Sequence, residues 1–294
     1  MGRAPRRDAR GARVPRRARR RLRHAVPQGH PSADAGPAEA ERTGGGEPTM
    51  SSSDITTGGG RSAAGPIRIS LAEWQDDPAR WRGRRAVVVR DAFADTTAVT
   101  TWTPELLAQR FPEVPVLAKE IPLEAWADPS RASFERMDLR RFVGLLRAGG
   151  SCQIAQQPIA PFTGLAEEVQ LERMAEPPYR RVYLWLGRGT RTPLHYDRIE
   201  NVFVQVRGTK QFVLEPPDSA AGRYVQDAPT AHLSRVDPYA PDPGLFPDYD
   251  PDAQLRVLLG PGDALYLPPG WFHDVSAPEE SISVNCWYGD TLSD

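Results

Sequence analysis

The chain is 294 residues long, and its 37 Lys plus Arg against 38 Asp plus Glu leave a formal net charge of −1. A balance so close to neutral argues against nucleic acid as a partner, because it supplies no basic face to neutralise phosphates. Two cysteines exclude a disulfide framework, and no stretch approaches the roughly 20 apolar residues of a membrane-spanning helix. The N-terminus also lacks the apolar core of a secretory signal. The protein is therefore expected in the cytoplasm, with Cys152 and Cys286 as free thiols.

Residues 1–66 are rich in Arg, Gly, Ala and Pro and show no apolar periodicity. They cannot bury enough surface to offset the entropy of ordering, so a disordered tail is expected. Eleven arginines and one aspartate fall within residues 1–23. A basic nucleic-acid arm or a mitochondrial presequence would share that bias, but the serines and hydrophobic face of a presequence are absent. Met50, followed by Ser51, Ser52, Ser53 and Asp54, has the character of a start. Residues 1–49 are accordingly expected to be upstream sequence ahead of a misassigned start codon.

Residues 67–294 are expected to form one domain, an α/β layer followed by an all-β core. The patterns at 71–81 and 104–111 predict short helices, the second with Thr103 as cap and Pro104 at its first position. Ala86-Val87-Val88-Val89 predicts a buried strand. Asp138 caps a clearer helix with an apolar face of Leu139, Phe142, Val143 and Leu146, stopped by Gly149 and Gly150. Strands are expected near 153–156, 181–186, 201–206, 211–214, 255–259, 264–267 and 281–288. This mainly β succession with long crossovers fits a double-stranded β-helix, the cupin or jelly-roll architecture. In the last strand Ser281, Ser283, Asn285 and Trp287 share one face, while Ile282, Val284, Cys286 and Tyr288 share the other. An ordinary sandwich would turn the polar face to water. If Asn285 serves a buried site, the reverse is expected, a polar lumen with the aliphatic face packed on the flanking layer. Asp263 is expected to organise the tight turn before its strand.

The chemistry centres on Thr192-Pro193-Leu194-His195-Tyr196-Asp197 and, much later, His273. Residues i and i+2 of a strand point to one side, so His195 and Asp197 can offer an imidazole and a carboxylate to one ion. His273 arrives from a distant strand. Two neutral imidazoles and a carboxylate cap one triangular face of an octahedral ion and leave the rest exchangeable, the ligand set of non-haem Fe(II) that binds a cosubstrate and oxygen. Structural zinc would need a closed tetrahedron. Composition separates this pattern from a chance tripeptide. The chain has two lysines and two asparagines, and Lys210, Asn201 and Asn285 all fall within the suspected site. Of three histidines beyond the tail, two are His195 and His273.

These residues, with Asn201-Val202-Phe203-Val204-Gln205-Val206-Arg207-Gly208-Thr209-Lys210, Gly260-Pro261-Gly262-Asp263, Pro268-Pro269-Gly270-Trp271-Phe272-His273 and Ser283-Val284-Asn285-Cys286-Trp287-Tyr288, carry a resemblance. Over residues 67–288 the chain resembles the JmjC-type (cupin-like) 2-oxoglutarate-dependent oxygenases, within them the protein hydroxylase branch that includes the asparaginyl hydroxylase of the hypoxia response. The resemblance implies iron held by His195, Asp197 and His273. It also implies 2-oxoglutarate with its distal carboxylate on Lys210, helped by Thr192, and its chelating end near Asn201 and Asn285. Independently, a buried dicarboxylate needs a fixed positive charge at the end away from the metal. Arg207 is the rival for that role, and Gly208 between the two leaves their relative facing open. Gln156, Leu184 and Trp287 are expected to face the substrate. Ile154 stands where the asparaginyl hydroxylase uses a tyrosine, and the polar residues of the loop 230–237 do not repeat its pattern, so specificity is open.

The activity implied is hydroxylation of an unactivated C–H bond with Fe(II), 2-oxoglutarate and O2, releasing succinate and CO2. The substrate is left open among a protein side chain, a peptide natural product, a modified tRNA base and a small molecule. The alternative from another class is a catalytically silent metal-binding cupin serving as sensor or scaffold, whose signature would be a broken ligand set. A zinc or manganese cupin isomerase would show His-x-His and a further Glu, which are absent. Oligomeric state is left open.

Overall fold

The computed structural model describes residues 65–120, 131–227 and 230–291. The expectations for residues 1–64, including the start at Met50, lie outside them. The chain enters as β1 (Ile67–Ile69), α1 (Leu71–Asp76) and β2 (Val87–Val89), followed by α2 (Thr97–Thr101), α3 (Pro104–Arg110), β3 (Pro115–Glu120), β4 (Ser133–Asp138) and α4 (Leu139–Arg147). After β5 (Cys152–Pro158) and α5 (Leu165–Val169) come β6 (Tyr179–Arg188), β7 (Thr190–Tyr196), β8 (Ile199–Arg207) and β9 (Lys210–Glu215). The last strands are β10 (Leu255–Leu259), β11 (Ala264–Leu267), β12 (Phe272–Ala277) and β13 (Ser281–Thr291).

Local chemistry sets the helix ends. Ser70 and Glu73 form a reciprocal capping box at the start of α1. The helix expected over 71–81 stops at Asp76, because Pro78 lacks an N–H and biases Asp77 away from helical dihedrals; Pro78–Arg80 instead forms a separate 3-10 turn. Thr103 caps α3 by accepting from the Leu106 N–H at 3.0 Å, and Pro104 occupies the first position as expected. Asp138 caps α4, which buries Leu139, Phe142, Val143 and Leu146. Strand β4 was outside the expectations for a physical reason. Five of its six residues are exposed, so it has no apolar alternation, and its conformation comes from pairing with β3.

The larger sheet has the order β1-β2-β11-β8-β13-β6-β5-β3-β4, and the smaller β10-β9-β12-β7. This is the mainly β, jelly-roll-like cupin architecture. Two apolar layers flank the larger sheet. On one face Leu186, Val204, Ile282, Val284, Cys286 and Tyr288 pack with Phe142 and Leu146 of α4. On the other, Phe203 and Leu265 meet Phe212, Leu214, Val257 and Leu259 of the smaller sheet. The lumen between the sheets therefore receives every second residue of β6, β8, β9, β12 and β13. As expected, the polar face of β13 points into it, with Ser281, Ser283 and Asn285 all at most 2% exposed. Asp263 also behaves as expected. Its carboxylate accepts from the Gly260 N–H at 3.0 Å and the Asp91 N–H at 3.2 Å, holding the turn into β11.

Candidate metal centre

His195 lies near the end of β7, Asp197 one residue past that strand, and His273 at the start of β12. Antiparallel pairing puts His195 directly opposite His273. The candidate ligand atoms of the three residues all lie within 4.8 Å of one another, with the two imidazole centroids 4.1 Å apart. The His273 Nε2 is 3.8 Å from the Asp197 Oδ2. Each imidazole is oriented by a backbone carbonyl two residues before it. His195 Nδ1 lies 2.7 Å from the Pro193 oxygen and His273 Nδ1 3.0 Å from the Trp271 oxygen. A proton on Nδ1 satisfies both contacts and leaves each Nε2 bare for a cation.

Electrostatics favours the ligand-competent forms of the imidazoles. Burial, with His273 adding to it, pushes His195 down to about 3, and burial pushes His273 down to about 4, so both rings stay neutral at neutral pH. Burial raises the Asp197 pKa, against lowering by His195, Asn201, Trp287 and His232. A bound cation would favour the ionised carboxylate further. The Trp287 indole N–H is turned toward Asp197, short of full hydrogen-bond geometry.

The register between β7 and β12 slips by one residue between the pairs Thr192–Val275 and His195–His273. The extra residue falls at Pro193-Leu194, a bulge that sets Thr192 on the same face as His195. Lys210 opens β9 and is followed on the same inward face by Phe212 and Leu214, of which Leu214 pairs with His273. Lys210 thus sits about 13 Å along the strand from Leu214, the residue paired with His273. A lysine side chain and a short dicarboxylate together can bridge that separation. The ammonium is buried, donates to Ser283 Oγ at 2.8 Å, and lies 4.9 Å from the ring centre of Phe203 and 5.6 Å from that of Trp185. No carboxylate among the described residues neutralises it, and burial pushes its pKa down to about 7. An anion is the complement such a group requires. Arg207, the rival, is exposed and lies near Glu280 at 3.7 Å, which leaves Lys210 as the basic group facing the lumen from this hairpin.

Asn201 donates to Asp197 Oδ2 at 3.2 Å, and Asn285 donates to Asn201 Oδ1 at 3.2 Å. Trp287 is half-buried, pairs across the strands with Asn201, and meets Tyr183 edge-on with centroids 5.5 Å apart. Three expectations need correction. Leu184 is fully buried in the apolar layer on the helix side of the larger sheet, because strand alternation sends its neighbours Tyr183 and Trp185 inward instead. It cannot contact a substrate. Ile154 is likewise fully buried in that layer and does not occupy a cosubstrate position. Gln156 is exposed at the bulge of β5 with φ of 50°, and it does not face the lumen as part of a regular strand.

Two further residues neighbour the site, Trp185, which sequence reasoning did not single out, and His232 of the loop 230–237, whose role it left open. Trp185 donates its indole N–H to Asn285 Oδ1 at 2.7 Å. His232 is half-buried beside the ligands, its carbonyl accepting from the Tyr196 N–H at 3.1 Å, while Leu233 bridges to His195. The residues present thus fit a divalent cation with exchangeable positions and a small anionic partner.

Comparison with known proteins agrees with this geometry. The chain is similar to Jumonji C domain-containing protein 5 of Drosophila melanogaster, 38% identical over 106 residues, 35% of this chain and 26% of that protein. It is similar to the bifunctional peptidase and (3S)-lysyl hydroxylase of Homo sapiens, 33% identical over 129 residues, 36% of this chain and 41% of that protein. It is also similar to tRNA wybutosine-synthesizing protein 5 of Danio rerio, 32% identical over 130 residues, 43% of this chain and 39% of that protein. The matches span between about a quarter and two fifths of these relatives' lengths. A family model for the cupin-like domain matches residues 82–294, which include all of the suspected ligands. With a jelly-roll-like fold and a His-Asp-His cluster in its lumen, this chain belongs to the cupin-like domain family.

Proposed function

We propose that the protein is an Fe(II)- and 2-oxoglutarate-dependent oxygenase that hydroxylates an unactivated C–H bond. The observation that carries this reading is one lumen lined by three cation-ligand side chains and, farther along, a buried lysine without an acidic partner among the described residues. When bound, Fe(II) with 2-oxoglutarate and O2 supplies the oxidising chemistry, and 2-oxoglutarate leaves as succinate and CO2.

The chain's own residues have the remaining tasks. His195, Asp197 and His273 hold the cation, with Asn201 keeping the carboxylate turned toward it. Lys210 neutralises the distal carboxylate of 2-oxoglutarate, with Ser283 and Thr192 in the same pocket, and Phe203 and Phe212 exclude water around that ion pair. Trp287 lies beside Asp197 and restricts how a substrate carbon approaches the metal. The substrate class is a protein or peptide side chain or a natural product, in keeping with the lysyl hydroxylase named among the relatives. A cytoplasmic setting that keeps iron reduced belongs to the same reading.

Calorimetric titration of 2-oxoglutarate tests the proposal without a known substrate. Protein loaded with Mn(II), a redox-stable stand-in, should bind it markedly more tightly than metal-free protein, because the ligand then engages both the cation and Lys210. Equal affinity with and without metal, or no binding, would contradict the assignment.

A further inference from the structure

Three side chains connect the cosubstrate end of the lumen to the metal ligand in one unbroken series. Trp185 Nε1 donates to Asn285 Oδ1 at 2.7 Å, Asn285 Nδ2 donates to Asn201 Oδ1 at 3.2 Å, and Asn201 Nδ2 donates to Asp197 Oδ2 at 3.2 Å. The two ends of the series have no choice of role. An indole nitrogen can only donate, and an ionised carboxylate can only accept. A carboxamide can present either its oxygen or its nitrogen, so each asparagine alone could face its neighbour in two ways. With a pure donor at one end and a pure acceptor at the other, a single arrangement satisfies every link. Asn201 and Asn285 are at most 4% exposed, so water does not readily substitute for a missing partner.

We propose that Trp185 is a positioning residue for the metal centre, acting through Asn285 and Asn201 to hold the Asn201 N–H on Asp197. Without the indole N–H, the Asn285 oxygen loses its donor and the carboxamide is no longer held at that end, so Asn285 holds Asn201 less firmly in place. The Asn201 N–H, still the group the carboxylate selects, is then less well aligned on Asp197. The hydrogen bond that aims Asp197 at the cation is weakened. The inference rests on the metal reading above, and its test separates the two.

The probe is Mn(II), titrated into the purified full chain and into variants. Trp185→Phe retains an aromatic ring but has no donor, and loss of one hydrogen bond at this remove should weaken Mn(II) binding by about three- to tenfold. In an Asn201→Ala background, where the series is already broken, Trp185→Phe should have no further effect on Mn(II) affinity. Tyr183→Phe alters a neighbouring inward aromatic that is not part of the series and should leave affinity unchanged. Unchanged affinity in Trp185→Phe, or the same factor in both backgrounds, overturns the proposal while leaving the metal site standing. Failure of the wild-type chain to bind Mn(II) removes the metal site and the proposal together. A measurement without substitution guards against a variant that misfolds. Saturation of the wild-type protein with diamagnetic Zn(II) should shift the Trp185 indole N–H and both asparagine carboxamide resonances as one set, and a shift of Asn201 alone would contradict the relay.

Discussion

Asp197 and Glu200 are three residues apart, and the fold treats their carboxylates in opposite ways. Glu200 faces the helix side of the larger sheet and is fully provided for. Arg82 donates through Nε at 3.1 Å and Nη2 at 2.7 Å, and the Tyr266 hydroxyl donates at 2.6 Å. Gly289, with φ of 69°, lets the backbone pass so close that any Cβ there would collide with Glu200. Asp197 faces the lumen with no lysine or arginine partner among the described residues, beside two imidazoles held neutral. The buried Lys210 faces the same lumen from a strand position about 13 Å along β9 from the residue paired with His273. A structural cluster closes its own charges, whereas this lumen holds an acid and a base at separate positions along it. That separation distinguishes a receptor from a brace.

The largest effect should come from breaking the receptor side at its centre. Asp197→Ala leaves two imidazoles, and Fe(II) or Mn(II) affinity measured by titration should fall by about 100-fold or more while the melting temperature of metal-free protein changes little. Retained affinity would mean that the cluster is not the metal site. Lys210→Ala should act next, at the other end. Removing one partner of a desolvated ion pair costs about 2 to 5 kcal/mol, so affinity for 2-oxoglutarate should drop by roughly thirtyfold or more. Mn(II) affinity in the absence of 2-oxoglutarate should be preserved. Arg207→Ala is the control, and the reverse pattern would reassign the anchor.

The brace should respond in stability instead. Arg82→Ala leaves Glu200 buried with Tyr266 as its remaining side-chain donor among the described residues. Because Arg82 is itself 28% exposed, the cost is discounted to about 2 kcal/mol. The melting temperature should fall by roughly 4 to 8 °C, with Mn(II) affinity of the folded protein unchanged. A loss of metal affinity as large as that of Asp197→Ala would erase the distinction between the two regions.

The smallest effect is a proton count. Burial lowers the Lys210 pKa from 10.5 to about 7. Between those values the unfolded chain holds more protons than the folded one, so this group's contribution makes the metal-free protein more stable as pH rises through that window. A bound dianion would restore the ammonium. At pH 8, 2-oxoglutarate binding should therefore take up most of one proton, and at pH 6 almost none from this group. Calorimetry in buffers of different ionisation enthalpy reads that difference, and identical heats across buffers at pH 8 would show that Lys210 is already charged.

The His-Asp-His cluster was legible because its signal is local and chemical. His195 and Asp197 are two apart, and Lys210, Asn201 and Asn285 belong to residue types this chain otherwise nearly lacks. Alternation within β13 grouped Ser281, Ser283, Asn285 and Trp287 on one face, and it was the expected role of Asn285 that turned this face inward. What escaped depended on register between distant strands. Leu184 and Trp185 are neighbours on β6, and only the pairing of Ser283 with Trp185 and Val284 with Leu184 shows which of them faces the lumen. The bulge at Pro193-Leu194, which brings Thr192 to the face of His195, has no marker in sequence beyond the proline. Gly208 hid the facing of Arg207 and Lys210 because a turn with φ of 66° resets strand parity. His232 enters through a long loop whose course is set by the pairing of Leu233 with His195.

The central claim, that this lumen couples a metal to 2-oxoglutarate for oxidation, is tested most directly by succinate formation in air from 2-oxoglutarate and Fe(II), without added substrate. The account predicts slow, Fe(II)-dependent succinate release by the wild-type and Arg82→Ala proteins and none above the protein-free rate with Asp197→Ala. Equal succinate from the wild-type and Asp197→Ala proteins, or none from the wild-type protein with Fe(II) bound, would contradict it.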